Sequence, residues 1–469
     1  MKKILICLPS EYYNKYIQLN AFKDIIKNYE VSFLFNKNKW KTQHSKLKNK
    51  YFYSLDDKEH AYFIKILHLF LVVNKNLSKT FRYHFRRWYP NFQDFIKIEK
   101  TKQKDSFGKL TNLFFLKNLV KYLYKPFLKR LIIIFFSKRI IFNLYENLIL
   151  SKLNLNSDIS RIVNKLKPDL IIYTTHCYEP ETFMIPKIAS SVKAKTFFLV
   201  DNWDNISCKT VFINKPDFLG VWGKQSKNHA SKIQNIKKKD IFYTGSPKFD
   251  NYLLIRKKKL GNIFDHNYVL FFGVIELYND IEVLKYLDEE INQNQSLYKN
   301  LKIIYRPHPA RPNLFSHAKK ISSLKNVILD PYMEKYLKSK NKKYLESINL
   351  YFEKLLSNSL FNVGGIGTVT IESLMFKKKQ ILLCHNEKNN ITDPKSLFEN
   401  QLHFEKIDHV TALIKAKSID SVVKNFRKLY VNKSYLKVNK KLDKEINYFY
   451  NISKNSYSKK IFSIVKNLL

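Results

Sequence analysis

Leu360–Phe376 reads LFNVGGIGTVTIESLMF. The chain has nine glycines in 469 residues, about 2% where an ordinary protein has about 7%. Three of them, Gly364, Gly365 and Gly367, fall within this one turn. A short apolar run leads into the turn, and Ile371, Leu374 and Met375 follow at helical spacing, so the stretch predicts strand, tight turn and helix N-terminus. Free backbone N–H groups and the positive end of the helix dipole make such a turn a seat for an anion, and glycine lets a phosphate come close. Glu372, one helical turn in, is placed to accept from ribose hydroxyls. The plainer alternative is a glycine turn with a favourable first-turn carboxylate. A capping box wants the acid three residues after its Ser or Thr, and Thr368 is four away.

Upstream, Lys302–Tyr305 reads as a strand ending in Arg306–Pro307–His308–Pro309. The prolines hold this loop out of helix, and an arginine fork beside an imidazole suits a diphosphate. The same alternation of strand and helix extends in both directions. Lys2–Leu8, Glu30–Asn36, Asp169–Thr174, Thr196–Val200, Phe218–Trp222 and Ile241–Thr244 predict one strand series, with a helix over Ile17–Asn28 and another over Glu181–Ser190. Tyr268–Phe272, a helix over Asp280–Asn292, the RPHP strand, the glycine stretch and Gln380–Cys384 predict a second. The fold class expected is α/β, two doubly wound parallel sheets. Residues 254–265 lose the apolar period and read as the linker, and 411–469 read as lysine-rich helix.

In the first series, Thr196–Val200 runs into DNWDNISCK at 201–209, a polar loop where α/β proteins place ligand contacts. Asp201 and Asp204, two carboxylates three apart, could provide a general base, with Asp204 the candidate, or the following helix is simply capped through Asp204 or Asn205. Trp203 and Lys209 are candidate acceptor contacts. His176, just past the strand 169–174 with Glu179 nearby, is a second candidate base or a structural histidine. No His, Cys or carboxylate spacing argues for a bound metal.

Between the first strands and this region lies a basic segment. Leu116, Leu119, Val120, Leu123 and Phe127 fall on one helical face, with Lys117, Lys121, Lys125 and Lys129 recurring beside it. Beyond a kink expected at Pro126 comes LIIIFF at 131–136, bracketed by Lys129–Arg130 and Lys138–Arg139. This fits docking on an anionic membrane, or equally an ordinary helix with its lysines in water. FRYHFRRW at 81–88 interleaves arginine and aromatic residues, which suits RNA, lipid headgroups or a solvated helix face. Most of 37–105 shows no clear period.

The 84 Lys plus Arg against 39 Asp plus Glu give a formal charge of +45, which suits nucleic acid or an anionic lipid surface. Lys, Asn, Ile, Tyr and Phe are enriched throughout, however, as AT-rich coding would produce without any function. Four scattered cysteines, Cys7, Cys177, Cys208 and Cys384, include no CxxC pair and suggest neither a disulfide framework nor zinc. The opening apolar run is too short for a signal peptide, and no run reaches the roughly 20 residues of a membrane span.

Taken in order, WDNISCK, PDFLGVWGKQSKNHA, YTGSPKFD, RPHP, GGIGTVTIESLMF and LHF at 402–404 resemble bacterial surface-polysaccharide (capsule or lipopolysaccharide) glycosyltransferases of the GT-B fold. The layout is also similar to that of CDP-glycerol glycerophosphotransferase-like proteins. The resemblance spans about Pro168–Phe404. It implies an N-terminal acceptor-binding domain and a C-terminal domain for a nucleotide-activated sugar. By position it implies that Arg306 and His308 face the diphosphate, that Gly365, Gly367, Thr368 and Thr370 cradle it, and that Glu372 meets the ribose. Phe376–Lys379 and Thr210 depart from the family pattern, where a small residue with proline, and a glycine, are usual.

The domains expected are 1–253, with a basic helical region at about 106–150, then 266–430, then terminal helices over 431–469 that cross back to the first domain. The activity expected is transfer of a sugar from a nucleotide donor to a cell-surface polysaccharide or lipid-linked glycan. No metal, no cofactor and no nucleic-acid partner are expected, and the location is cytoplasmic, peripheral at the anionic inner face of the cell membrane. The alternatives are a CDP-polyol phosphotransferase, a nucleotide-sugar epimerase, or a basic RNA- or membrane-binding protein without catalysis.

Overall fold

The computed structural model describes residues 1–8, 14–37, 47–102, 112–258, 260–274, 278–310, 319–340, 350–387, 390 and 392–469. Parts of the sequence readings at 9–13, 37–105, 106–111 and 254–265 therefore lie outside the described residues. The chain forms two compact units. One comprises Met1–Phe95, Gly108–Asn251 and Asn447–Leu469, the other Ile96–Phe107 and Tyr252–Ile446.

The first unit carries β1 (Lys3–Leu8), β2 (Glu30–Asn36), β3 (Lys50–Tyr53), β4 (Leu170–Thr175), β5 (Lys195–Val200), β6 (Phe218–Val221) and β7 (Ile241–Tyr243). They form one parallel sheet in the order β3-β2-β1-β4-β5-β6-β7. Strand side chains alternate between faces, and here both faces are covered. Leu5, Cys7, Ile171 and Tyr173 enter one core. Ile4, Ile6, Leu8, Leu170 and Ile172 enter the other. That second core is closed by Tyr457, Ile461, Val465 and Leu468 of the C-terminal helix Tyr457–Leu468.

The second unit carries β8 (Tyr268–Phe272), β9 (Lys302–Arg306), β10 (Val327–Leu329), β11 (Asn362–Gly364), β12 (Gln380–Leu383) and β13 (Leu413–Ala416). Its parallel order, β10-β9-β8-β11-β12-β13, repeats the 3-2-1-4-5-6 winding of a dinucleotide-binding sheet. Each sheet thus has a point where successive crossovers depart in opposite directions, between β1 and β4 in one and between β8 and β11 in the other. Ligands of open α/β sheets sit outside such points, at the carboxyl ends of the strands.

Several details depart from the sequence reading. The helix expected over Ile17–Asn28 is a wide turn at Asn14–Gln18 followed by a helix only at Lys23–Asn28. The short strands β3 and β10 were not expected. Residues 411–469 are not all helix: β13 pairs with β12 and extends the second sheet. In sequence, residues 254–265 and 431–446 fall within the second unit, and the chain returns to the first unit at Asn447.

Candidate functional site

In the second unit the glycine turn follows β11, and the loop after β8 lies beside it at the switch point. Gly364 has φ of 150°, a region open essentially to glycine, and a Cβ there would stand 2.3 Å from the Phe272 carbonyl oxygen. A Cβ on Gly365 would meet Tyr278 and Val274 at 2.7 Å. Gly273, ending β8, is as tight on its other side, where a Cβ would lie 2.9 Å from Pro307 Cα and 3.3 Å from the His308 nitrogen. The absence of three side chains therefore lets the ends of β9, β8 and β11 close on one another. Gly367 differs: a Cβ there would meet nothing within 4 Å. It caps Thr368–Met375 without a side chain to occupy the helix N–H groups.

Arg306 is oriented by its neighbours. Its Nη1 donates to Asp330 Oδ2 at 2.5 Å, and its guanidinium lies 4.9 Å over the Phe352 ring. Asp330 is fully buried and fixed in turn, accepting from Tyr332 N, Met333 N and Tyr351 Oη. The other N–H donors of the fork have no hydrogen-bond partner among the described residues. His308 accepts from Ala310 N through Nδ1 at 3.1 Å, so a neutral ring carries its proton on Nε2. Burial first, then Glu372 and Glu353, push the buried Tyr252 phenol up, and Arg306 opposes them. That places Glu372 and Arg306 around the same tyrosine.

Two donor-side expectations change. Thr370 is fully buried, and its hydroxyl accepts from Gly367 N at 3.3 Å and Gln380 Nε2 at 3.4 Å. It ties the turn together and does not face a ligand, whereas Gly367 and Thr368 stay partly open. Glu372 is buried too, so its carboxylate is part of the wall and not a free arm.

In the first unit, β4 and β5 bring together His176 and Asp201. His176 Nε2 lies 3.3 Å from Asp201 Oδ2, and Nδ1 lies 3.4 Å from Glu179 Oε1. Lys15 donates to Asp201 Oδ1 at 2.6 Å. Glu179 accepts from His176 N, Tyr178 N and Thr175 Oγ1. Burial pulls the imidazole pKa down, but the two carboxylates outweigh it and raise it to about 9. Burial would lift Asp201, but Lys15 and His176 draw it to about 2. The expectation that His176 is a general base is thereby corrected: at neutral pH it is an imidazolium held between two carboxylates. It can donate a proton or face an anion.

Asp204 stands at the N-cap of the helix Asn205–Cys208, but its side chain makes no capping hydrogen bond. It accepts instead from the Cys208 thiol at 3.0 Å. Trp203 is 1% exposed with its ring edge-on to Phe449, which makes it core and corrects the acceptor-contact expectation. Lys209 is exposed, its ammonium 5.4 Å from the Tyr178 ring centroid. Among the described residues no cluster of His, Cys or carboxylates could hold a metal ion. Sequence reasoning missed Gly273, Asp330, Tyr252 and Lys15, and it named Asp201 as a candidate base without its partners His176 and Lys15. Only Gly273 carried a signal, as one more scarce glycine at a strand end.

The sequence matches no protein-family model and no curated protein. The fold is similar to that of UDP-GlcNAc 2-epimerase from Methanocaldococcus jannaschii, with TM-score 0.51 and 15% identity, covering 99% of each chain. MnaA of S. aureus, solved with UDP, matches with TM-score 0.51 and 13% identity over 100% of this chain and 98% of its own. UDP-GlcNAc 2-epimerase from Neisseria meningitidis, bound to UDP-GlcNAc, gives 0.50 at 12% identity over 99% of each. The architecture is GT-B-like: two Rossmann-like domains, each a parallel sheet flanked by helices.

Proposed function

We propose that the protein is a metal-independent glycosyltransferase that binds a nucleotide-activated sugar at the switch point of the second sheet. The observation that carries this reading is the convergence of three loops at Gly273, Pro307–His308 and Gly364–Gly365 beside the helix N-terminus at Gly367. The N–H groups after Gly367, the outward donors of Arg306 and His308 Nε2 would hold the diphosphate. Positive groups set there offset the charge that develops on the leaving diphosphate. Glu372 would stand toward the ribose side. On the first unit, Asp204 would take the proton of the acceptor hydroxyl, with Lys209 beside it and the His176 imidazolium facing any acceptor phosphate. The acceptor proposed is a cell-surface polysaccharide or lipid-linked glycan at the cytoplasmic face of the cell membrane.

A nucleotide-sugar epimerase is the second reading, favoured by end-to-end likeness in fold to two UDP-GlcNAc 2-epimerases. One experiment separates the two. The protein is incubated with UDP-GlcNAc in deuterium oxide, with and without a lipid-linked glycan. Release of nucleoside diphosphate only with acceptor supports the transferase. Deuterium appearing at C2 without acceptor supports the epimerase, because inversion at that carbon breaks its C–H bond. Loss of nucleotide binding in neither Arg306→Ala nor Gly367→Ala would remove the site on which both readings rest.

A further inference from the structure

Helices of a water-soluble domain turn their apolar stripe inward. The segment 112–151 of the first unit does the reverse. In the helix Asn112–Tyr122 the buried side is Asn118 and Tyr122, while Leu116 and Val120 are exposed. A wide turn at Leu123–Phe127 takes in Pro126. The helix Leu128–Phe136 that follows exposes Leu128, Leu131, Ile132, Phe135 and Phe136, a complete i, i+3, i+4, i+7, i+8 stripe, and buries no side chain. The next helix, Arg139–Ser151, packs Phe142 edge-on to Phe70 on the core side. Its far side carries Ile140, Leu144 and Leu148, exposed at 80, 79 and 67%. Three successive helices thus turn apolar stripes outward, where a soluble monomer usually exposes large apolar side chains singly.

The surface is held in place. Tyr122 Oη donates to Pro90 O at 3.1 Å, Arg130 donates to Tyr89 O, and Arg139 donates to Asn74 Oδ1 at 2.6 Å. Lys117, Lys121, Lys125, Lys129 and Lys138 border the stripes and are exposed. No helix among the described residues is long and apolar enough to cross a membrane.

We infer that this surface seats in the headgroup–acyl boundary of an anionic lipid bilayer, apolar stripes inserted and lysines against the headgroups. Charge selects this occupant over a second copy of the chain: a protein of formal charge +45 repels its own lysine-bordered face, whereas anionic lipid complements it. The inference rests on the membrane location already proposed and names the surface that carries it, and it does not depend on the donor site.

Co-sedimentation of the full chain with vesicles tests it, using phosphatidylcholine alone or with about 30% phosphatidylglycerol. Binding is expected to the anionic vesicles, reduced but not abolished by high salt. The variant Ile140→Gln/Leu144→Gln/Leu148→Gln should bind at least about tenfold more weakly, because three apolar side chains that would insert into the bilayer are lost. Unchanged binding by that variant, absence of binding by the parent, or a dimer in solution that the variant dissolves would each overturn the inference. Leu144→Trp gives a second reading should the triple variant fail to fold. Its emission should shift to the blue and be quenched by lipids brominated on their acyl chains, and an unshifted, unquenched signal overturns the inference. Nucleoside diphosphate binding measured in parallel keeps the two proposals apart: lost vesicle binding with intact nucleotide binding rejects only the docking surface.

Discussion

Arg306 and Asp330 form a buried-to-surface pair, Nη1 to Oδ2 at 2.5 Å, in which the carboxylate is fully buried and the guanidinium is 16% exposed. Asp330 fixes the direction of the fork, so its removal and that of Arg306 have different signatures. Arg306→Ala should weaken nucleoside diphosphate binding about tenfold or more, since a hydrogen bond to a charged group is worth about 1.5–3 kcal/mol. Arg306→Lys should recover part of it, because an ammonium cannot reproduce the planar fork. Asp330→Asn should lower the unfolding midpoint as well as affinity, because Asp330 also caps the helix Pro331–Ser339. Calorimetric titration and thermal unfolding of the three variants check this.

The two ends of the glycine turn should respond oppositely to alanine. Gly364→Ala forces a side chain into φ of 150° and against the Phe272 carbonyl, a strain of about 1–3 kcal/mol before any clash. It should lower stability measurably in urea titration. Gly367→Ala meets nothing and has an extended backbone, so its unfolding midpoint should match the parent. Its nucleotide affinity should nevertheless fall, because the added methyl occupies the approach to the helix N–H groups.

His176 gives the first unit a pH dependence of definite sign. Its folded pKa, about 9, lies above the ordinary 6.5. The contribution of the imidazolium is therefore complete below pH 6.5 and is lost as pH rises through about 9. Asp201, drawn to about 2, contributes in the opposite sense, in full above the ordinary carboxylate range and lost as pH falls toward 2. Subtracting the stability profile of His176→Gln from that of the parent should leave a difference that declines between pH 6.5 and 9. A flat difference over that interval would show the ring is not held as a cation.

The C-terminal helix is core, not appendage. Ile461→Ala should cost about 2–5 kcal/mol, as deletions of fully buried aliphatic groups do. Removing residues 447–469 should unfold the first unit while the second keeps its own transition, and differential scanning calorimetry separates the two.

The glycine stretch and the RPHP loop were readable because their residue types have few physical uses. Glycine in a glycine-poor chain has few substitutes, as the crowding at Gly364 and Gly365 shows, and X-Pro-His-Pro admits no helix. The parallel strands were readable because burial on both faces writes long apolar runs. His176 was findable as a candidate but its charge state was not, since that depends on Asp201 and Lys15, 25 residues downstream and far upstream. Trp203 misled because an indole in a polar loop looks like a binding platform, and nothing local reveals Phe449 against it. The basic helices were recognised as amphipathic, but sequence period alone cannot say which face turns outward. Motif glycines can also serve packing: Gly223 is bare because a Cβ would strike the Phe449 carbonyl oxygen at 2.6 Å.

The return of the chain to its first sheet fixes an order of events during synthesis. The backbone of Asp24 donates to Ser458 Oγ, a bond between residues 434 apart in sequence, and Tyr457, Ile461 and Val465 complete the layer over Ile4, Ile6 and Phe35. A ribosome makes the strands of that sheet early, and their second face stays uncovered while the whole of 252–446 is being translated. The half made first is the half finished last, and during that interval its bare face is the part of the nascent chain most in need of a chaperone.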